Sequence, residues 1–192
     1  MTSIVIAEDE AIIRLDLREL LEEEGYSVVG EAGRGDQAVE LVRNLRPDVV
    51  ILDVKMPGMD GIEAAKRISS EAICAVLMLT AFSQREVVEQ ARDAGALAYL
   101  VKPFQKNDLV PAIELAIARF SETKALAAEV SELTERLEVR KVIDRAKGML
   151  IDEHGLKEAD AFAFIQKTAM SKRVSMRAIA ESVLKGETVP SS

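Results

Sequence analysis

Five times in its first 120 residues the chain alternates a short apolar or β-branched run with an amphipathic helical stretch, and few folds accept that pattern. The runs are Ile4–Ala7, Val28–Ala32, Val49–Leu52, Ala75–Leu79 and Ala98–Val101. The helical segments are Ala11–Glu24, Gln37–Leu45, Ile62–Ser69, Arg85–Ala94 and Asp108–Phe120. Gly25, Gly58, Gly61 and Gly95 punctuate helix ends and turns. The first, third and fourth runs are apolar throughout, as strands covered on both faces of a parallel sheet should be. Five βα units of this length predict an α/β doubly wound five-stranded parallel sheet, with ligands at the carboxyl ends of its strands.

After Phe120 the strand signal stops. Ser121 to about Glu153 holds neither Gly nor Pro before Gly148 and predicts one long connecting helix. Two shorter helices, Leu156–Thr168 and Ser175–Leu184, are set off by Gly155 and Gly186, so this region reads as a small all-α three-helix domain. Leu126, Val130, Leu133 and Leu137 are spaced 4, 3 and 4 apart. That seam fits either a coiled coil between two copies or an amphipathic helix packed on its own domain. The expected divisions are 1–120, a helical linker over 121–137 with possible coiled coil, and 138–192. The tail Glu187–Ser192 is expected to fray.

With 192 residues, 48% of them hydrophobic, the chain can bury one core of ordinary size and a smaller one. No apolar run approaches the ~20 residues of a membrane span. The opening MTSIVIAEDE turns acidic at once and lacks the basic start of a signal peptide. Cys74, the single cysteine, lies in the run Ile73–Leu77 and reads as a small buried hydrophobe. A chain without a disulfide fits a reducing compartment, so the expected location is cytoplasmic. The net charge of −8 belongs wholly to residues 1–120, because residues 121–192 balance 12 basic against 12 acidic side chains. Within that neutral region Arg140, Lys141, Arg145 and Lys147 surround a single Asp144, and Phe162–Ala180 holds four cations and no acid. Two local basic stretches can touch phosphates without making a general polyanion sponge.

The chemistry gathers where the strands end. The first run leads into Glu8-Asp9-Glu10, the third into Asp53, the fourth into Thr80 and the fifth into Lys102-Pro103. A parallel sheet brings all of these to one edge. Clustered carboxylates repel and raise one another's pKa unless a cation neutralises them. Hard oxygen ligands point to Mg²⁺. With that charge offset, Asp53 can act as a nucleophile toward a phosphoryl group, with Lys102 and Thr80 on its oxygens. Singly, each residue has a plain alternative as a helix-capping or turn residue, and Glu10 suits a helix dipole. Together they match one mechanism.

The segments IVIAEDE, DVVILDVKMPGMDG, LMLTAF and AYLVKPF closely resemble the signature segments of the bacterial response-regulator receiver family, over residues 3 to about 118. The resemblance implies a flavodoxin-like fold and a two-component phosphoprotein. Asp53 would be phosphorylated by a sensor histidine kinase. Asp9, Asp53 and the Lys55 carbonyl would bind Mg²⁺, with Glu8 acting partly through water. Thr80 and Lys102 would hold the phosphoryl group, Tyr99 would be the aromatic switch partner of Thr80, and Lys102–Pro103 would be cis. Glu8 stands where many receivers have Asp.

The stretch LEVRKVIDRAKGML, followed by Gly155, Glu158–Phe162 and Ile179-Ala180, resembles the ANTAR domain, an RNA-binding module of transcription antitermination regulators. The resemblance covers about 130–185 and implies binding to hairpin RNA in nascent transcripts by a protein that is a homodimer at least when phosphorylated. Arg140, Arg145, Lys147 and Arg173 could contact phosphates; equally, Arg140 and Arg145 could belong to a solvated face or pair with Glu138 and Asp144. Ala146 and Gly148 are expected to permit close helix packing. Phe162, Phe164 and Ile165 are expected in the core, although an aromatic could stack a base.

Two rivals concern the output. A DNA-binding transcriptional regulator would need a tight helix-turn-helix, and the expected connection Ala169–Val174 is longer than its 3–4-residue turn. An output domain that binds only protein stays open. Enzyme readings fail: a dehalogenase-type phosphatase needs an acid two residues after the nucleophile, where Lys55 stands, and Gly30-x-x-Gly33-x-Gly35 has the wrong spacing for a dinucleotide loop.

Overall fold

The computed structural model of the chain describes residues 1–81 and 85–190. It divides into two compact units, Met1–Ala125 and Leu126–Ser192. In the first, strands β1 (Ser3–Ala7), β2 (Ser27–Ala32), β3 (Val49–Asp53), β4 (Ala75–Thr80) and β5 (Ala98–Val101) alternate with helices α1 (Ala11–Glu23), α2 (Gly35–Leu45), α3 (Gly61–Ser70) and α4 (Arg85–Asp93). The sheet is parallel throughout, in the order β2-β1-β3-β4-β5. The chain reverses its winding between β1 and β3, so the crevice for a ligand opens at their carboxyl ends.

Side-chain alternation along the strands splits the core in two. Val5, Val50, Leu52, Val76 and Met78 face α2, α3 and α4, where Val39, Val42, Ala64 and Ile68 meet them. Ile4, Ile6, Val49, Ile51, Leu77 and Leu79 face the other way, onto Leu17 and Leu21 of α1 and onto Leu109, Ile113 and Ala116. Cys74 is buried in the first of these layers, and burial pushes its thiol up to about 12.

Helix α5 runs without interruption from Lys106 to His154, 49 residues. The expected helices Asp108–Phe120 and Ser121–Glu153 are therefore one element. No glycine or proline falls between Pro111 and Gly148, and Thr123 returns its hydroxyl to the Arg119 carbonyl at 2.8 Å rather than breaking the helix.

In the second unit, α6 (Glu158–Lys172) and α7 (Met176–Leu184) pack on the end of α5. Ala146, Leu150, Ala161, Ile165, Ala169, Ile179, Ala180 and Val183 form its core. Four expectations change here. Phe164 packs against this core, but Phe162 lies outside it, 42% exposed. A side chain at Gly148 would meet nothing within 4 Å, so packing does not require that glycine, whereas Ala146 is fully buried. The start of the tail packs back on the unit, with Thr188 buried and bonded to Ser182 through their hydroxyls at 2.7 Å, while Ser191 and Ser192 lie outside the described residues. Finally, α6 ends later than expected, with Arg173 in the left-handed conformation and Val174 N–H closing onto the Ala169 carbonyl. Only Arg173–Ser175 separate α6 from α7, so the length argument against a helix-turn-helix does not hold.

Gly61 joins fold to site. A Cβ there would lie far inside van der Waals contact with the Asp53 carbonyl oxygen. Gly61→Ala is expected to destabilise the first unit by roughly 3 kcal/mol, the upper end of overpacking costs. Gly148→Ala, in open space, should instead stabilise the second by roughly 0.5–1 kcal/mol. Urea unfolding of the two variants beside wild type checks both signs.

Candidate functional site

Strand parity assembles the site. Glu8 continues the Ile4, Ile6 series of β1, Asp53 the Val49, Ile51 series of β3, and Lys102 follows Leu100 of β5. All three therefore emerge on the α1/α5 face at the carboxyl edge of the sheet. Lys102 Nζ pairs with Asp53 Oδ1 at 2.8 Å and with Glu8 Oε2. The second oxygens are also engaged: Asp53 Oδ2 accepts from Lys55 N–H at 3.1 Å, and Glu8 Oε1 from Glu10 N–H at 3.2 Å. Oxygens of Glu8, Asp9 and Asp53 lie within 4.8 Å of one another.

The burial of these groups differs sharply. Glu8 is fully buried, Asp53 is 6% exposed and Asp9 is exposed. Burial pushes the Glu8 carboxyl above the usual range, against the pull of Lys102. For Lys102 burial acts to lower the pKa, but its bonds to Asp53 and Glu8 outweigh this, and the ammonium is held above its ordinary value. A cleft of about 190 Å³ opens above, lined by Asp9, Asp53, Lys55, Thr80 and Lys102 among others. Three carboxylates against one ammonium leave two formal negative charges. A divalent cation matches that residue in charge and in its preference for oxygen ligands.

The structure brings together Glu8, Asp9, Asp53, Thr80 and Lys102, with the Lys55 backbone beside Asp53. Thr80 is the last residue of β4 and is 2% exposed. Tyr99 pairs with Met78 in the β4–β5 ladder, so it shares a sheet face with Thr80, yet its side chain is 51% exposed. The Lys102–Pro103 bond is cis, as the receiver resemblance implied. One partnership was missed from sequence. Glu8, expected near the metal, lies in the same carboxylate group and is in addition the buried counter-ion of Lys102, a role its parity with Ile4 and Ile6 foreshadows.

In the second unit Arg140, Arg145 and Arg173 are exposed. Arg140 reaches Asp144 only at 3.9 Å, so it belongs largely to solvent. Lys147 is different: it is mostly covered and pairs with Asp144 at 3.0 Å and Glu158 at 3.1 Å, which ties α5 to α6. Leu126, Val130, Leu133 and Leu137 are each more than half exposed. The packed-helix reading of that seam has no support within the second unit.

Comparison with known proteins agrees with this architecture. The response regulator receiver domain family matches residues 4–114, and the ANTAR domain family matches residues 131–184. The transcriptional regulatory protein PdtaR of Mycobacterium tuberculosis is 60% identical over 181 residues, covering 94% of this chain and 88% of the relative. The chemotaxis protein CheY of Bacillus subtilis is 40% identical over 111 residues, 57% of this chain and 92% of its own. Among solved structures, a LuxR-family two-component response regulator from Aurantimonas superposes with a TM-score of 0.58 at 34% identity, covering 62% of this chain and 86% of that one. Neither matched domain family is a catalytic one. No described helix is long and apolar enough to cross a membrane. The chain belongs to the response regulators that join a receiver domain to an ANTAR domain.

Proposed function

We propose that a sensor histidine kinase phosphorylates this protein on Asp53, and that the ester controls hairpin-RNA binding by the second domain and thereby transcription antitermination. The observation that carries the first half is the Asp53–Lys102–Glu8 arrangement at the mouth of the cleft. An Asp53 oxygen attacks phosphorus, the donor's phosphorus–nitrogen bond breaks, and an acyl phosphate results. Lys102 is already on Asp53 and so positioned to take a phosphoryl oxygen, and buried Glu8 keeps the ammonium in place and charged. Thr80 lines the same cleft and can donate to another phosphoryl oxygen. Asp9, Asp53 and the Lys55 carbonyl, with Glu8 acting partly through water, would hold Mg²⁺, which would supply charge neutralisation to the transferring group.

Switching rests on the shared face of Thr80 and Tyr99. A Thr80 hydroxyl drawn toward the phosphoryl group frees space that the Tyr99 ring can enter, changing the surface of α4 and β5. A second copy of the chain fits the exposed Leu126–Leu137 seam, whose spacing suits a two-stranded coiled coil. The protein would act in the cytoplasm, where kinase output and nascent transcripts are both available. The ANTAR match favours RNA over DNA, and splayed loop bases are the usual target of sequence-specific RNA binders.

Acetyl phosphate with Mg²⁺ should place one label on Asp53, read by peptide mass spectrometry. Asp53→Asn or removal of divalent metal should abolish it, and Lys102→Ala should slow it roughly 100-fold. A stable label elsewhere would refute the site. Labelled protein should bind hairpin RNA more tightly than unlabelled protein in a filter-binding assay, and equal affinity would remove the control step. Leu133→Lys should shift the labelled protein from dimer to monomer in analytical ultracentrifugation.

A further inference from the structure

Phe162 is the first aromatic of α6, and nothing in the second unit's core needs it. It borders a groove of about 340 Å³ between α5 and α6, with Ile143, Asp144 and Lys147 alongside and Arg136 and Arg140 at its edge. A single exposed apolar residue needs no explanation on its own. This one lies among three cations and one acid, and that acid is already shared with Lys147 at 3.0 Å. Arg140 is 81% exposed and Arg136 71%. The Arg136 guanidinium meets Glu132 one turn back, a solvent-facing pair that an incoming phosphate can exchange cheaply.

Gly148 adds an independent observation. It falls on the stripe of α5 that carries Arg140 and Asp144, four residues apart each time. A mid-helix glycine is destabilising, and no neighbour occupies the space a side chain would fill. Bare backbone on that stripe permits close approach by a bulky polar group from outside. A flat apolar ring, solvent-facing arginines and an unshielded helix surface together match one chemistry: a planar base on a negatively charged backbone.

We propose that the α5/α6 groove holds an unpaired RNA nucleotide whose base stacks on Phe162, with Arg136 and Arg140 on the flanking phosphates. This rests on the RNA-binding reading above and goes further by naming the ring that contacts the base. The groove volume lies within the range of small-ligand sites.

The test uses the full-length protein, labelled with acetyl phosphate, and a pool of hairpin RNAs with randomised loops. The hairpin that wild type enriches is then titrated against Phe162→Ala, Phe162→Leu and Phe162→Tyr, with thermal melts of each variant. Alanine and leucine should both weaken binding about 5- to 150-fold, the range for one lost base stack, and tyrosine should restore it. Ultraviolet crosslinking should attach a loop nucleotide to the peptide containing Phe162. Leucine preserves apolar bulk, so it decides the matter even if alanine perturbs the fold. Leucine binding as tightly as wild type would overturn the stacking proposal while leaving RNA binding intact, and would make Phe162 a contact for something else, such as protein. If wild type enriches no hairpin at all, the RNA reading falls and this one with it.

Discussion

A carboxylate with no access to water organises the receiver domain's site. Glu8 is sealed beneath the cleft, and an ionised acid in that position is tolerable only with a close counter-ion. Lys102 is that counter-ion, and because it also reaches Asp53 it converts a desolvation problem into a positioned cation at the reactive residue. The sheet makes this possible. Reversal of winding between β1 and β3 leaves their carboxyl ends open, and β5, two strands away from β3, sends Lys102 back across β4 to the opening. Charge balance at the edge then follows from topology rather than from any single loop.

Most of this domain could be read before its structure. Apolar runs such as VVIL and AVLML leave no polar face, so they declare themselves as central strands, and the helix periods between them fix the winding. The site was legible for the same reason: once strands are parallel, residues at their ends must meet. What the pattern could not supply is depth. Sequence placed Glu8, Asp9 and Asp53 together, and parity with Ile4 and Ile6 turns Glu8 inward, but how completely it is sealed while Asp9 stays exposed depends on how Lys102 closes over the edge.

The helical domain was less legible, and the failures share a cause. Helical periodicity records which side faces the core, yet says little about where a helix stops or how fully one ring is covered. Arg173 closes α6 in the left-handed conformation, normally the province of glycine or asparagine, so the connection to α7 looked twice its true length. Phe162 and Phe164 lie two residues apart, a spacing that puts them on different sides of a helix, and only Phe164 packs inward. Lys147 looked like one more surface cation and is instead a tie between two helices.

The lone thiol has a practical corollary. Cys74 sits in the core with its ionisation suppressed, so thiol reagents find no competing background on the folded protein. A cysteine introduced anywhere on the surface becomes a unique handle for a fluorophore or spin label, with no need to strip the native one. Distances across the molecule, and their change with signalling state, can thus be followed on an otherwise unaltered chain.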